Sequence, residues 1–299
     1  MTGLTYATYV SQIATMAVVP TTDTNYQAVI PSMINYAELR MQRDIDFLNA
    51  SGSFSYTGTV GSASLQLTAG YPFVTVENIG VTDPTTGYLE QLTPISKEYL
   101  YAIYPIGTTQ SVPKFFAPFN DNLMLLGPIP DQAYSYTVVG LTRFQSLGYL
   151  PSVVSAYGGG LITFSADHGL SVGNSITLSG FTPSGWNTTF TVVAVQSSVA
   201  VTVTTTAASA TVVGTAVNES SSTFISTYLP DVFIMASMIY ISAYQRNFGK
   251  LNDDPQMAVS YESQYQALLK GAVIEEARKK FEASAWTSQG PAPVATPTR

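Results

Sequence analysis

Hydrophobic spacing changes along the chain, from helical to alternating and back to helical. Residues 5–19 suggest a helix. A second is clearer, because Ile30, Ile34, Ala37, Met41, Ile45 and Leu48 recur at steps of three and four, so that one face packs inward. From residue 54 to 143 the spacing shortens to the alternation of strands, in short runs separated by turn residues: SYTGTV, SLQL, VTVENIGV closed by DPTTG, KFFAPFN, LMLLGP and SYTVVGLTRF. A short predicted helix, SKEYLYAIYP, interrupts them. Alternation returns in SITLSGF, FTVVAVQ and VAVTVTTT. The segment PDVFIMASMIYISAYQRNFG then opens on Pro230 and ends near Gly249, residues suited to a helix start and end, and is apolar nearly all round, which predicts a buried helix. Pro255 stands near the start of a last helix whose stripe is Met257, Tyr261, Tyr265, Leu268 and Ala272. The terminal TSQGPAPVATPTR is too polar and proline-rich to fold alone, and residues 283–299 are expected as an extended tail.

Charge marks the domain boundaries. Between Gly148 and Val217 there is no Lys or Arg, and Asp167 is the one acid, whereas the flanks carry every basic residue and the remaining acids. With the Gly-rich YGGGL before it and NESSST after it, this segment reads as a β domain inserted into a host. The expected divisions are therefore 1–147 and 218–282 for the host, 148–217 for the insertion and 283–299 for the tail. The expected fold class is α+β: a helical core with a small β region, interrupted by an inserted all-β domain.

Composition removes several functions. The net charge of −7 gives no long-range attraction for phosphate backbones, which disfavours tight nucleic-acid binding. With no cysteine and a single histidine, thiolate and multi-histidine metal sites are excluded, and no cofactor is expected. The N-terminus lacks a basic region ahead of its apolar stretch, so no signal peptide is read, and the longest apolar run is too short to span a bilayer.

The one histidine, His168, stands beside Asp167 in ITFSADHGLSVGNSITLSGF. A catalytic reading needs a nucleophile, His168 as base and Asp167 to orient it. Neighbouring strand residues point to opposite faces, so the favoured reading is a histidine that fixes a turn punctuated by Gly169 and Gly173. Asp253 and Asp254 could hold a cation, although carboxylates at a helix N-terminus are favoured by its dipole alone. Glu275 and Glu276 stand four residues before Lys279 and Lys280, the favourable order for helix ion pairs. Arg278, Lys279 and Lys280 form the basic cluster of the chain, balanced by Glu275, Glu276 and Glu282. Tyr99, Tyr101, Tyr104, Phe115, Phe116 and Phe119 supply aromatic surface for sugars or interfaces, with half of them expected in the core by alternation.

The strings LTPISKEYLYAIYP, VPKFFAPFNDNLMLLGPIPDQAYSYTV and STYLPDVFIMASMIYISAYQRNFGKLNDDPQMAVSYESQYQALLK resemble the phage head-to-tail adaptor family of short-tailed phages. The resemblance implies a structural protein of the virion with no catalysis. It implies a homo-oligomeric ring, a dodecamer in that family, which docks beneath the portal protein, receives the tail tube or nozzle protein and lets genomic DNA through without specific binding. It also implies that the helical part meets the portal and neighbouring subunits and that the C-terminal end lies along the portal. The interface residues expected on this basis are Met257, Tyr261, Tyr265, Leu268, Arg278, Lys279, Lys280 and Trp286, the last as the anchor of the tail. The segment HGLSVGNSITLSGFTPSGWNTTFTVVAV is similar to β-rich modules of phage structural proteins, in which a His-Gly pair, a Val-Gly turn and a later asparagine recur. Two alternatives stand beside the adaptor: a tail-associated receptor or glycan-binding protein that uses the insertion, and a two-carboxylate hydrolase, for which the insertion holds a single acid.

Overall fold

The computed structural model describes residues 3–67, 73–84, 86–105, 110–245 and 257–288. The first elements are α1 (Tyr6–Ala17), α2 (Thr24–Asp44), β1 (Ser51–Thr57), β2 (Ser64–Gln66), β3 (Phe73–Thr82), β4 (Leu89–Gln91), β5 (Thr93–Pro94) and α3 (Lys97–Ile103). Next come β6 (Phe115–Asn120), β7 (Leu123–Gly127), β8 (Ser135–Thr142), β9 (Val153–Tyr157), β10 (Leu161–Phe164), β11 (Ser175–Ser179), β12 (Thr189–Ser197), β13 (Ala200–Val203) and β14 (Thr215–Asn218). The chain then runs through α4 (Phe224–Tyr228), α5 (Pro230–Gln245) and α6 (Met257–Ser288). Two compact units result, one from residues 1–45 with 145–275 and the other from 46–144 with 276–299.

In the first unit, α1 starts at a capping box between Thr5 and Thr8, and α2 at Asp23, whose carboxylate accepts from the Asn25 and Tyr26 amides at 2.9 Å. Ile30, Ile34, Ala37, Met41 and Ile45 are all buried as their spacing predicts. Leu48 departs from the expected stripe: the backbone turns extended at Ile45, and Leu48 sits 42% exposed in the short 3-10 turn that follows. Helix α5 packs on α1 and α2. Its Phe233 stacks on Tyr9 at 4.8 Å, and the Tyr9 hydroxyl donates to Ser237 Oγ at 2.7 Å.

Strands β9–β14 of this unit form a six-stranded sheet in the order β14-β11-β12-β13-β10-β9. Their core is built from Val153, Ile162, Ile176, Trp186, Val192 and Val201 among others, all lying between residues 150 and 203. Gly160 cannot carry a side chain: its φ is +91°, and a Cβ there would stand 1.7 Å from the Val203 carbonyl oxygen.

The second unit overturns the expected helical core with a small β region. Its strands form two four-stranded sheets, β1-β8-β3-β4 and β2-β7-β6-β5, which share one core of Leu65, Phe73, Ile79, Phe116, Leu126 and Tyr136 among others. That is a β-sandwich with its own interior. The strands looked minor in the sequence because they are separate runs whose pairing is not marked, yet β3 has ten residues and β8 eight, and Phe116, Met124 and Leu126 face the shared core while Ala117 and Leu125 pack under Leu100 of α3 on the other side. Covering a sheet on both faces makes β6 and β7 part of the framework; a fully buried large apolar side chain contributes roughly 1.5–3 kcal/mol. Two of the strands, β4 and β5, had no hydrophobic alternation to reveal them; β5 joins by parallel pairing to β6.

Candidate interaction surfaces

The histidine that precedes β11 serves the backbone. His168 is buried, its Nδ1 accepts from the Leu170 amide at 2.8 Å, and its Nε2 therefore carries the proton and donates to the Ser197 carbonyl at 3.1 Å. Both ring nitrogens are thus engaged in holding the turn to the β12–β13 connection, while Asp167 is exposed. Gly169 and Gly173 have φ of +62° and +91°. Asn174 Oδ1 accepts from the Ser171 amide, and Asn187 grips Phe181 twice, accepting from its amide at 2.7 Å and donating to its carbonyl at 3.0 Å. The recurring histidine, glycines and asparagine of this module are turn fixers. Trp186 is fully enclosed and donates to the Ala208 carbonyl at 2.8 Å, so it offers no stacking surface.

The two ends of the segment meet. Gly148 accepts from the Asn218 amide at 3.0 Å and donates to Ser221 Oγ at 2.8 Å. The amides of Tyr6 and Ala7 donate to the carbonyls of Ser221 and Glu219, tying this joint to the start of α1. On the other side Glu38 of α2 accepts from the Ser146 hydroxyl at 2.7 Å and the Leu147 amide at 2.9 Å. Burial pushes the Glu38 carboxyl up to about 7, against the pull of those two hydrogen bonds. Sequence reasoning missed Glu38, although an acid placed between Ile34 and Met41 on the buried stripe was the available signal.

Along α6 the inward face mixes apolar and ionic groups. Tyr265 is fully buried, its hydroxyl donates to Asp44 at 2.7 Å, and Arg40 lies over its ring at 4.4 Å. Arg40 also pairs with Glu262 at 2.6 Å, a hydrogen bond that holds the Glu262 carboxyl below its ordinary value. Within the second unit, Glu276 is buried, accepts from the Leu48 amide at 3.3 Å and pairs with Lys279 at 2.7 Å. Lys280 reaches Asp46. The expected pairing of Glu276 with Lys280 thus gives way to a spacing of three, because Lys280 is drawn to the acid that precedes β1.

Of the expected interface residues, Tyr261 and Leu268 are half-buried, Arg278 is exposed, and Lys279 and Lys280 are half-buried in their ion pairs. Tyr265 is committed to the packing of its own chain. Trp286 falls on α6, which continues past Ala283 to Ser288; the expected extended tail is helical there because no proline comes before Pro291. The side chains of Met257 and Trp286, and the whole of Gly249, Asp253, Asp254, Pro255 and 289–299, lie outside the described residues. In the aromatic cluster Phe116 of β6 is buried, Tyr104 and Phe115 are half-buried, and Tyr99 and Tyr101 of α3 and Phe119 of β6 are exposed. Phe119 borders a groove of about 410 Å³ between β3 and β6.

A family model described as SU10 adaptor protein matches residues 4–293. The chain belongs to the SU10 adaptor protein family. The match agrees with the phage adaptor that the flanking strings resembled, and it spans both units. No curated protein matches the chain. No helix among the described residues of the adaptor is long and apolar enough to cross a membrane.

Proposed function

We propose that this adaptor is a structural ring subunit that sits beneath the portal of a short-tailed phage, joins the capsid vertex to the tail tube or nozzle protein and gives the genome a passage. The observation that carries this reading is the family match over residues 4–293, nearly the whole chain. Physical features agree with it. An acidic chain with net charge −7 repels phosphates at short range, as a channel that DNA must slide through requires. Exposed Tyr99, Tyr101 and Phe119 suit subunit contacts rich in aromatic groups. Tyr261, Leu268, Arg278 and Trp286 of α6 are the residues proposed to meet the portal or a neighbouring copy. The glycan-binding alternative draws less support, since Trp186 is enclosed in the core of the inserted strands. Imaging the purified adaptor with its portal by negative-stain electron microscopy tests the proposal: rings seated coaxially on the portal are expected, and a protein that neither forms rings nor binds the portal refutes it.

A further inference from the structure

Strand β1 lies at the end of the sheet β1-β8-β3-β4, and among the described residues β8 is its one strand partner. The pairing runs from Ser51 opposite Leu141 to Thr57 opposite Ser135 without a bulge, whereas the β3–β8 ladder shifts register twice. The ends of the strand fix its backbone direction: the Ala50 carbonyl accepts from the Thr142 hydroxyl, and the Gly58 amide donates to the Tyr134 carbonyl at 2.9 Å. Even-numbered residues therefore bond β8, and the main-chain groups of Ser51, Ser53, Ser55 and Thr57 point away from it. All four residues are exposed. Among the described residues, the one partner of these outward groups is the Leu48 carbonyl, which accepts from the Ser51 amide. Natural sheets close such an edge with a charge, a proline, a bulge or a very short strand. SGSFSYT has none of these over seven residues, while β4 at the far end of the same sheet is three residues long and carries Glu90.

We propose that β1 pairs antiparallel with β1 of a second copy of the chain, about a two-fold axis through Phe54. The strand is complementary to itself in this register. Ser53 faces Ser55 of the copy and Ser51 faces Thr57 of the copy, so the outward amides and carbonyls meet as hydrogen-bonded pairs. Their side chains meet as hydroxyl pairs on the solvent face. The chain makes that contact elsewhere between residues directly opposite on paired strands, Thr177 with Thr189 at 2.8 Å and Ser179 with Thr215 at 2.9 Å. On the other face Phe54 meets Phe54 of the copy, and Tyr56 lies opposite Gly52 of the copy, a large residue against one with no side chain. Phe54 and Tyr56 are half-buried against the sandwich core, and the pair covers what remains exposed of them. A two-fold contact cannot recur between like-oriented neighbours of a ring, so the dimer is a state of the free adaptor that covers the edge until assembly. This proposal goes beyond the ring of the preceding section and needs no portal.

Sedimentation velocity of the full chain without portal, over a series of concentrations, tests the pair. A monomer–dimer equilibrium is expected. Ser53→Lys with Ser55→Lys sets lysine opposite lysine at two places beside the axis, and is expected to weaken dimerisation by at least about tenfold. Ser53→Lys with Ser55→Glu sets lysine opposite glutamate at the same two places, and is expected to restore it. Both positions are exposed with their main-chain groups turned away from β8, and circular dichroism checks that each variant is folded. A native chain that stays monomeric at every concentration, or passes straight to larger assemblies, would overturn the proposal. Self-association equal in all three proteins would place the contact elsewhere, and equal weakening in both variants would overturn the register. Failure of the native chain to seat on a portal touches none of these outcomes.

Discussion

Glu38 is an acid in a stripe of apolar residues, and its carboxyl sits at about 7 against an ordinary value of 4.5. Below 4.5 the side chain is protonated in both folded and unfolded chains. As pH rises from 4.5 to 7 the unfolded chain gives up a proton that the folded chain retains, so stability falls across this window by about 3 kcal/mol and levels off above it. Gln in this position keeps one oxygen to accept from the Leu147 amide, can donate from its Nε2 to the Ser146 hydroxyl oxygen, and has no proton to lose. Glu38→Gln is therefore expected to be more stable than the native chain, by about 2 kcal/mol more at pH 8 than at pH 5.5. Urea unfolding at the two pH values measures this, and an equal difference at both would show that Glu38 is not what titrates. At this scale the sequence was legible where geometry is local: His168, Gly169 and Gly173 form the turn their order suggested. Glu38 escaped notice because its partners, Ser146 and Leu147, are remote in sequence and bind through a hydroxyl and a backbone amide that no motif marks.

Helix α6 shows the same limit for a whole element. Its inward positions include Glu262, Tyr265, Leu268, Ala272 and Glu276, so a helical period is present but two of its members are acids. Hydrophobicity alone therefore picked out only the middle of the face. The acids are tolerated because Arg40 meets Glu262 and Lys279 meets Glu276. Tyr265 fills the centre, with its hydroxyl on Asp44 and its ring under Arg40. Tyr265→Ala removes a fully buried aromatic group and is expected to cost about 3–5 kcal/mol, measured as a shift of the denaturant midpoint. A loss under about 1 kcal/mol would mean that α6 closes over the gap or contributes little there. The sheets were harder to read than the helices for a topological reason. β1 pairs with β8, and β2 with β7, across long stretches of chain, so alternation located most strands but could not reveal that they assemble into a sandwich.

For the whole molecule, the segment 148–217 stands as a proposed separable domain, with its core residues confined between 150 and 203 and its ends bonded at Gly148 and Asn218. Replacing residues 149–217 by a short Gly-Ser linker is expected to leave the helical circular dichroism signal and a cooperative unfolding transition. An aggregated product without such a transition would show that the strands are needed for the helices to fold. The composition shift made this segment visible because its surface is solvated by hydroxyl groups, whereas nothing in composition separates residues 46–144 from the helices around them. The bonded joint at Gly148 and Asn218 also bears on inheritance. Its two ends are one hydrogen bond apart, so on the proposal of a separable domain recombination can exchange what is encoded between these two codons without displacing the residues on either side. On that proposal the segment and the rest of the chain are free to change at different speeds.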